Sequence, residues 1–193
     1  MDAATITNSG LESLDELGLD RLSMRAVAGR LGVHVGALYY HVPDKSGLLR
    51  LMADRLCRAV TEDLEPGTAW REDAVAVCLA VRRTLLGHRD GARLFARSPL
   101  IGSPAALGLM ERLMGDLAHG VPEHHVGTAA DTLFSYVTGY VLQEQHDEPV
   151  LGFHPESLAE LRQRFPRVFA TRDPDSEQTF RAALDAILAG FTG

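Results

Sequence analysis

The chain has 193 residues, 46% of them hydrophobic and 6% aromatic, with a formal net charge of −7 at neutral pH. That hydrophobic share excludes wholesale disorder, and the acidic balance excludes binding nucleic acid through bulk positive charge, so any DNA contact needs a local surface. Ala, Leu and Arg dominate and β-branched residues form no alternating runs, which predicts an all-α fold.

The opening MDAATITNSGLESLDELG has no basic segment followed by an apolar one, so no signal peptide is expected. No apolar run approaches the roughly 20 residues needed to span a bilayer, and a cytoplasmic protein is expected. Ile6, Leu11, Leu14 and Leu17 share one helical face that ends at Gly18. Gly10 and its Thr and Ser neighbours make this helix dependent on tertiary support. Ser23 then caps a short helix over 24–30, and Gly32 turns the chain. A second short helix is predicted over 34–41, closed by Pro43. Asp44 caps a longer one whose Leu48, Leu49, Met52, Leu56 and Val60 form an apolar stripe. Two short helices around a glycine turn describe a helix-turn-helix, with Leu22, Val27, Ala28, Leu31, Val33 and Leu38 as its small core.

Residues 65–68 break the pattern. Further helices are expected over 70–88, 105–118, 123–146, 155–170 and 176–191, punctuated by prolines, with 145–155 an exposed loop. This divides the chain into a three-helix head at 1–62 and a helical domain at 63–193, bridged by the helix that begins at Lys45. Cys57 and Cys78 lie among apolar helical residues and read as buried free thiols.

The second helix of a helix-turn-helix presents its N-terminal residues to base edges in the major groove. Here Val35, Gly36 and Ala37 are small enough for close backbone approach. Tyr39, Tyr40, His41 and His34 offer polar tips for phosphates. Lys45 lies at a helix start, where a cation and free amides attract phosphate, and Met24 and Arg25 open the preceding helix. Singly, Tyr39 and Tyr40 read better as core aromatics and Lys45 as an ordinary surface lysine. Turn, caps and spacing together favour DNA.

Residues 22–49, LSMRAVAGRLGVHVGALYYHVPDKSGLL, resemble the DNA-binding head of TetR-family repressors in the LGV turn, the ALYYHV run and the following lysine. Trp70, HRDGAR at 88–93, TGYVLQEQ at 138–145 and EQTFRAALDAILAGF at 177–191 resemble the tetracycline-repressor type of C-terminal domain. The resemblance implies an all-helical homodimer whose helices over 121–146 and 176–191 form a four-helix interface. It implies a transcriptional regulator that leaves a palindromic operator when a small molecule binds, through a shift of the 45–61 helix. The stripe Phe180, Leu184, Ile187, Leu188 and Phe191 agrees with such an interface, and equally with core inside one subunit. The chain has no Arg or Lys before Arg21, so the basic arm of many relatives is absent or the start lies upstream. Val35 and Gly36 stand where the tetracycline repressor has polar readers, so a different operator is expected.

Tetracycline repressors hold a drug–magnesium chelate with a histidine, a glutamate and other polar groups. Those positions fall on Phe95, Gln143, Val77 and Leu113, a poor set for a hard cation. The expected pocket is therefore apolar, lined by Val77, Val81, Phe95 and Leu113, with Thr61 or Gln143 orienting the ligand. No cofactor and no metal site are expected. His124 and His125 are adjacent and diverge on a helix, and His146 and His154 flank a loop with Asp147 and Glu148. No protease, P-loop or hydrolase motif occurs, Ser98 and Ser135 have no base at suitable spacing, and the chain is not read as an enzyme. The alternative is a helical adaptor using the same head to contact protein.

Overall fold

The computed structural model describes residues 1–65, 67, 69–97, 102–145, 155–170 and 176–192, and every regular element among them is an α-helix. Helix α1 (Ala3–Leu17) begins where Asp2 accepts the Thr5 amide at 2.8 Å and ends at Gly18, whose φ is 78°. Its buried face includes Ile6 and Leu14, and it packs on α2 (Met24–Arg30) and α4 (Lys45–Glu62). A Cβ at Gly10 would press on the Met52 sulfur at 2.9 Å and on Leu48 at 3.2 Å. The glycine that weakens α1 in isolation is therefore what lets α1 and α4 close on each other.

Ser23 caps α2 by accepting the Ala26 amide at 3.2 Å. Gly32, with φ of 66°, makes the turn into α3 (Val35–Tyr39). This helix is shorter than the predicted 34–41, because the chain turns after Tyr39 to place Val42 in the core. Asp44 then accepts the Gly47 amide at 2.7 Å and starts α4.

The remainder is built on α5 (Trp70–Leu86), which packs against α4, α7 (Pro104–Leu117), α8 (Glu123–Glu144) and α11 (Ser176–Thr192). The short α6 (Gly91–Ala96), not anticipated from sequence, lies against α4, α5 and α8. The predicted 155–170 helix is divided into α9 (Pro155–Arg164) and α10 (Pro166–Ala170), since Pro166 lacks the amide and forbids helical geometry before it. Most of the predicted 145–155 loop, with His146 and His154, lies outside the described residues, as does Ser98.

The apolar stripe on α11 is core of its own subunit. Phe180, Leu184 and Leu188 are fully buried, and the Tyr136 ring stacks on Phe180 at 5.4 Å. Beneath α11 the buried Arg82 donates from Nε to Glu144 at 2.9 Å, its guanidinium 5.3 Å from the Phe180 ring. The opposite face of α11 exposes Ala182, Asp185, Ala186 and Ala189. No helix among the described residues is long and apolar enough to cross a membrane.

Two glycines predict opposite stability changes. A Cβ at Gly91 would run into the Leu85 carbonyl, so Gly91→Ala should destabilise by about 2 kcal/mol. Gly29 has open space around it inside α2, so Gly29→Ala should stabilise by about 0.5–1 kcal/mol. Urea unfolding of the two variants beside the parent checks both signs.

Candidate nucleic-acid interface and internal cavity

The outward surface of α3 and the turn after it carries most of the predicted DNA contacts. His34, Gly36, Ala37 and His41 are exposed, Tyr39 is 50% and Tyr40 is 88% exposed, and only Leu38 points fully inward. Two bulky aromatics left in water on a small head are poor core residues and suitable surface readers. Tyr40 and His41 meet edge to face at 5.2 Å. Arg25 is exposed and Lys45 half-buried at the first turn of α4.

Met24 does not share this surface. Its side chain is 6% exposed and belongs to the core of the head, so sulfur contact with DNA is ruled out by packing. Val35 is half-buried against the same core. Arg30, at the end of α2, is held at 2.7 Å by both Glu12 and Glu16 of α1.

An apolar cavity of about 220 Å³ lies where α4, α6, α7 and α8 meet. Helix α4 supplies Ala53 and Cys57, and α7 supplies Ala106, Leu109 and Met110. Ser103 stands at the start of α7, and Phe95, Phe134 and Asp131 complete the wall. Of the residues predicted to line a pocket, Phe95 does so. Val77, Val81 and Leu113 are fully buried in the surrounding core instead, beyond the cavity wall. Thr61 and Gln143 require correction as orienting groups. Thr61 is exposed and its hydroxyl donates back to the Arg58 carbonyl at 2.9 Å, and Gln143 faces outward on α8. The polar groups at the cavity are Asp131, Ser103 and the Cys57 thiol. Burial pushes the thiols of Cys57 and Cys78 up to about 12, so both stay protonated and unreactive.

The cavity is tied to the head by two sets of polar contacts that sequence reading did not find. Asp54, on the cavity section of α4, accepts from the Ala105 amide at 2.9 Å and the Ser103 hydroxyl at 2.8 Å, fixing the start of α7 to α4. Burial alone would raise its carboxyl, but bonds from Ala105, Arg58 and Ser103 outweigh burial and hold it below the ordinary range. The second set joins α1 to α6. Asp90, in the left-handed region with φ of 56°, accepts the Leu19 amide at 2.8 Å and Arg93 at 2.9 Å. Arg93 also reaches Asp20 at 2.8 Å, while Asp15 accepts the Arg89 amide at 3.0 Å and contacts His88 Nδ1 at 3.0 Å. Asp90 is likewise held low: burial opposes, and the Leu19 amide and Arg93 prevail. Gln145 closes the corner by donating to the Leu85 and His88 carbonyls, each at 2.8 Å. A cleft of about 1020 Å³ beside this junction has charged walls already engaged with one another.

Among the described residues no group of three or more His, Cys, Asp or Glu side chains could hold a metal ion. The His124 and His125 rings lie side by side, centroids 4.0 Å apart and planes tilted by 44°.

Residues 6–52 match the family described as bacterial regulatory proteins, tetR family, and residues 64–192 match the tetracyclin repressor-like C-terminal domain. The class G tetracycline repressor protein of Vibrio anguillarum is 32% identical over 202 residues, spanning 99% of this chain and 93% of that protein. An HTH-type transcriptional regulator of Saccharopolyspora erythraea is 37% identical over 140 residues, which is 72% of this chain and 59% of the relative's length. The Streptomyces coelicolor TetR family protein ActR, solved in complex with actinorhodin, superposes with a TM-score of 0.81 at 29% identity, covering 99% of this chain and 95% of that one.

The lowered carboxyls of Asp54 and Asp90 carry a signed pH dependence. A folded-state pKa below the unfolded one contributes stability that is complete above the ordinary carboxylate range and is lost as pH falls through the lowered values. Asp54→Asn, which leaves the Ser103 and Ala105 donors without their carboxylate, should cost about 1–3 kcal/mol at neutral pH. The deficit should shrink in acid, where the parent loses the same contribution. Paired urea titrations at neutral and acidic pH read the gap, and a gap constant with pH would remove Asp54 from this role.

Proposed function

The chain belongs to the tetR family of bacterial regulatory proteins, and we propose that it is a homodimeric repressor released from a palindromic DNA operator when a small apolar molecule enters the α4–α8 cavity. The observation that carries this reading is the joint position of α4. Its first turns follow directly on the α3 turn and pack on α1 in the head, and Ala53 and Cys57, farther along the same helix, form part of the cavity wall. An occupant that spreads that wall bears on the helix that carries the reader, and it acts as an inducer only to the extent that it prefers one arrangement.

The head's role as reader is supported by the exposed small residues Gly36 and Ala37 beside Tyr39 and Tyr40, with Arg25 and Lys45 as phosphate ligands. The outward face of α11, with Ala182, Ala186 and Ala189, is shaped for close helix contact with a second copy, together with the exposed face of α8. A two-fold dimer sets two α3 helices about one DNA turn apart, which is why a palindrome is expected. The apolar cavity favours an apolar inducer over a magnesium chelate, since it offers one carboxylate and no imidazole to a hard cation. The adaptor alternative gains nothing from the relatives, which are regulators and repressors by name.

The test is binding to the DNA upstream of the protein's own coding region across a salt series. Affinity should fall steeply as salt rises, through counterion release. Lys45→Ala should weaken all sequences alike and make the salt dependence shallower, whereas Ala37→Glu should abolish specific binding by setting an anion in the groove. Full binding by Ala37→Glu would remove α3 as the reader, and salt-independent or absent binding would remove the regulator itself.

A further inference from the structure

Helix α6 is not capped by its own N-cap residue. An aspartate in that place ordinarily accepts the amide of the second or third helical residue. Asp90 makes no such bond: one carboxylate oxygen takes the Leu19 amide of the head at 2.8 Å and the other takes Arg93 at 2.9 Å. The acceptor comes from the end of α8 instead. Gln145 Oε1 accepts the Ala92 amide, the second of α6, at 3.1 Å. Its Nε2 donates to the carbonyls of Leu85 and His88, each at 2.8 Å. One amide and two carbonyls around a single carboxamide fix its orientation, and every polar atom of the side chain is used. The end of α5 and the start of α6 are thereby held by one residue of α8.

Gln145 is itself firmly placed. It follows Glu144, which receives the buried Arg82 of α5, and Arg82 also lies 3.8 Å from Glu177 in the first turn of α11. The two helices offered to a second copy thus converge on one side chain of α5, a single residue before the grip on α6. The three Gln145 bonds face the protomer's own α5–α6 corner, so a partner on the outer face of α8 leaves them in place. From that corner Asp90 and Arg93 reach Leu19 and Asp20 in the head. We propose that Gln145 is a positioning residue for operator recognition. By capping α6 in place of Asp90 it leaves Asp90 free to hold the head, and so sets the half-site spacing that the dimer accepts. This rests on the dimeric, operator-binding reading above and adds the residue that fixes its geometry.

Gln145→Met keeps the length of the side chain and removes all three bonds. Asp90→Gly removes the hold on Leu19 and suits a φ of 56°. The probes are duplexes carrying the palindrome bound upstream of the coding region, with and without two base pairs inserted at its centre. The insertion turns one half-site by about 70° and moves it about 7 Å. Fluorescence anisotropy should show it weakening the parent more than about tenfold and Gln145→Met less than about threefold, from a weaker starting affinity. A duplex with one half-site should bind parent and variant alike, because the head is unchanged. Asp90→Gly should show the same flattened profile, and the double variant should add nothing to it. Amide exchange, which needs no DNA, should show Leu19 losing about tenfold of its protection in Gln145→Met. A cap that only stabilised the fold would lower the unfolding midpoint and leave Leu19 exchange and the spacing profile as in the parent. Either parent-like result in folded Gln145→Met, a double variant worse than Asp90→Gly, or a parent indifferent to the insertion overturns the proposal. Should Gln145→Met not fold, a parent-like spacing profile in Asp90→Gly overturns it. A parent that binds none of the upstream DNA removes the regulator reading instead, while Leu19 exchange still reports on the Gln145–Asp90 link.

Discussion

Helix α4 cannot move for one half of the molecule without moving for the other. Leu48 and Met52 seal it to α1 around Gly10, Ala53 and Cys57 face the cavity, and Asp54 between them holds the start of α7. These contacts occupy three successive sides of one continuous hydrogen-bonded cylinder, so a displacement at the cavity has no hinge within that stretch to absorb it. The α1–α6 junction is a second strut. Phe95 reaches the cavity from α6, and Asp90 and Arg93, at and near the start of that helix, grip the turn after α1, while Asp15 of α1 accepts the Arg89 amide. Gly91 packs so tightly on the Leu85 carbonyl that α6 has little freedom to slide along α5. Cavity and head are joined by two short rigid paths, neither of which runs through a flexible linker.

The charge distribution complements this geometry. A chain with a net charge of −7 gains little from the phosphate backbone at large, and the head tightens that limit by committing Arg30 to Glu12 and Glu16. The surface proposed to meet DNA is a small one of tyrosines, histidines and two cations, Arg25 and Lys45, rather than a basic field. Weak sequence-independent attraction leaves a larger share of the binding energy to contacts at base edges and to shape. An acidic body also disfavours sliding on arbitrary DNA once the reader has been displaced.

The local code was legible in the sequence, and the long-range contacts were not. Ser23, Asp44 and Gly32 announced the head because caps and turns are decided by neighbours three residues apart. Periodicity identified the buried stripe of α11 but not what buries it, and the partner proved to be α5 and α8 of the same chain. Helix α6 escaped because six residues give no period, and Asp90 escaped because its bond to the Leu19 amide forms only once the chain has folded back by 71 residues. Val77 and Leu113 were read as pocket because they fall on drug-contact positions of tetracycline repressors, with Val81 one turn beyond Val77. A hydrophobic residue on an inward face is equally suited to core or cavity wall, and helix crossing geometry decides between them.

The size of the cavity bears on how a modest occupant can control a tight complex. At about 220 Å³ it has room for a small molecule, whose differential affinity for two arrangements of one protomer would be limited. Couplings between sites typically amount to about 1–3 kcal/mol, and 1.4 kcal/mol is about tenfold. A dimer on a palindrome has two cavities acting on one DNA complex, so filling both multiplies the factors to about a hundredfold. The symmetry that doubles the reading surface thus doubles the leverage of the ligand, and a small chamber suffices where each protomer's α4 is rigid enough to transmit its share.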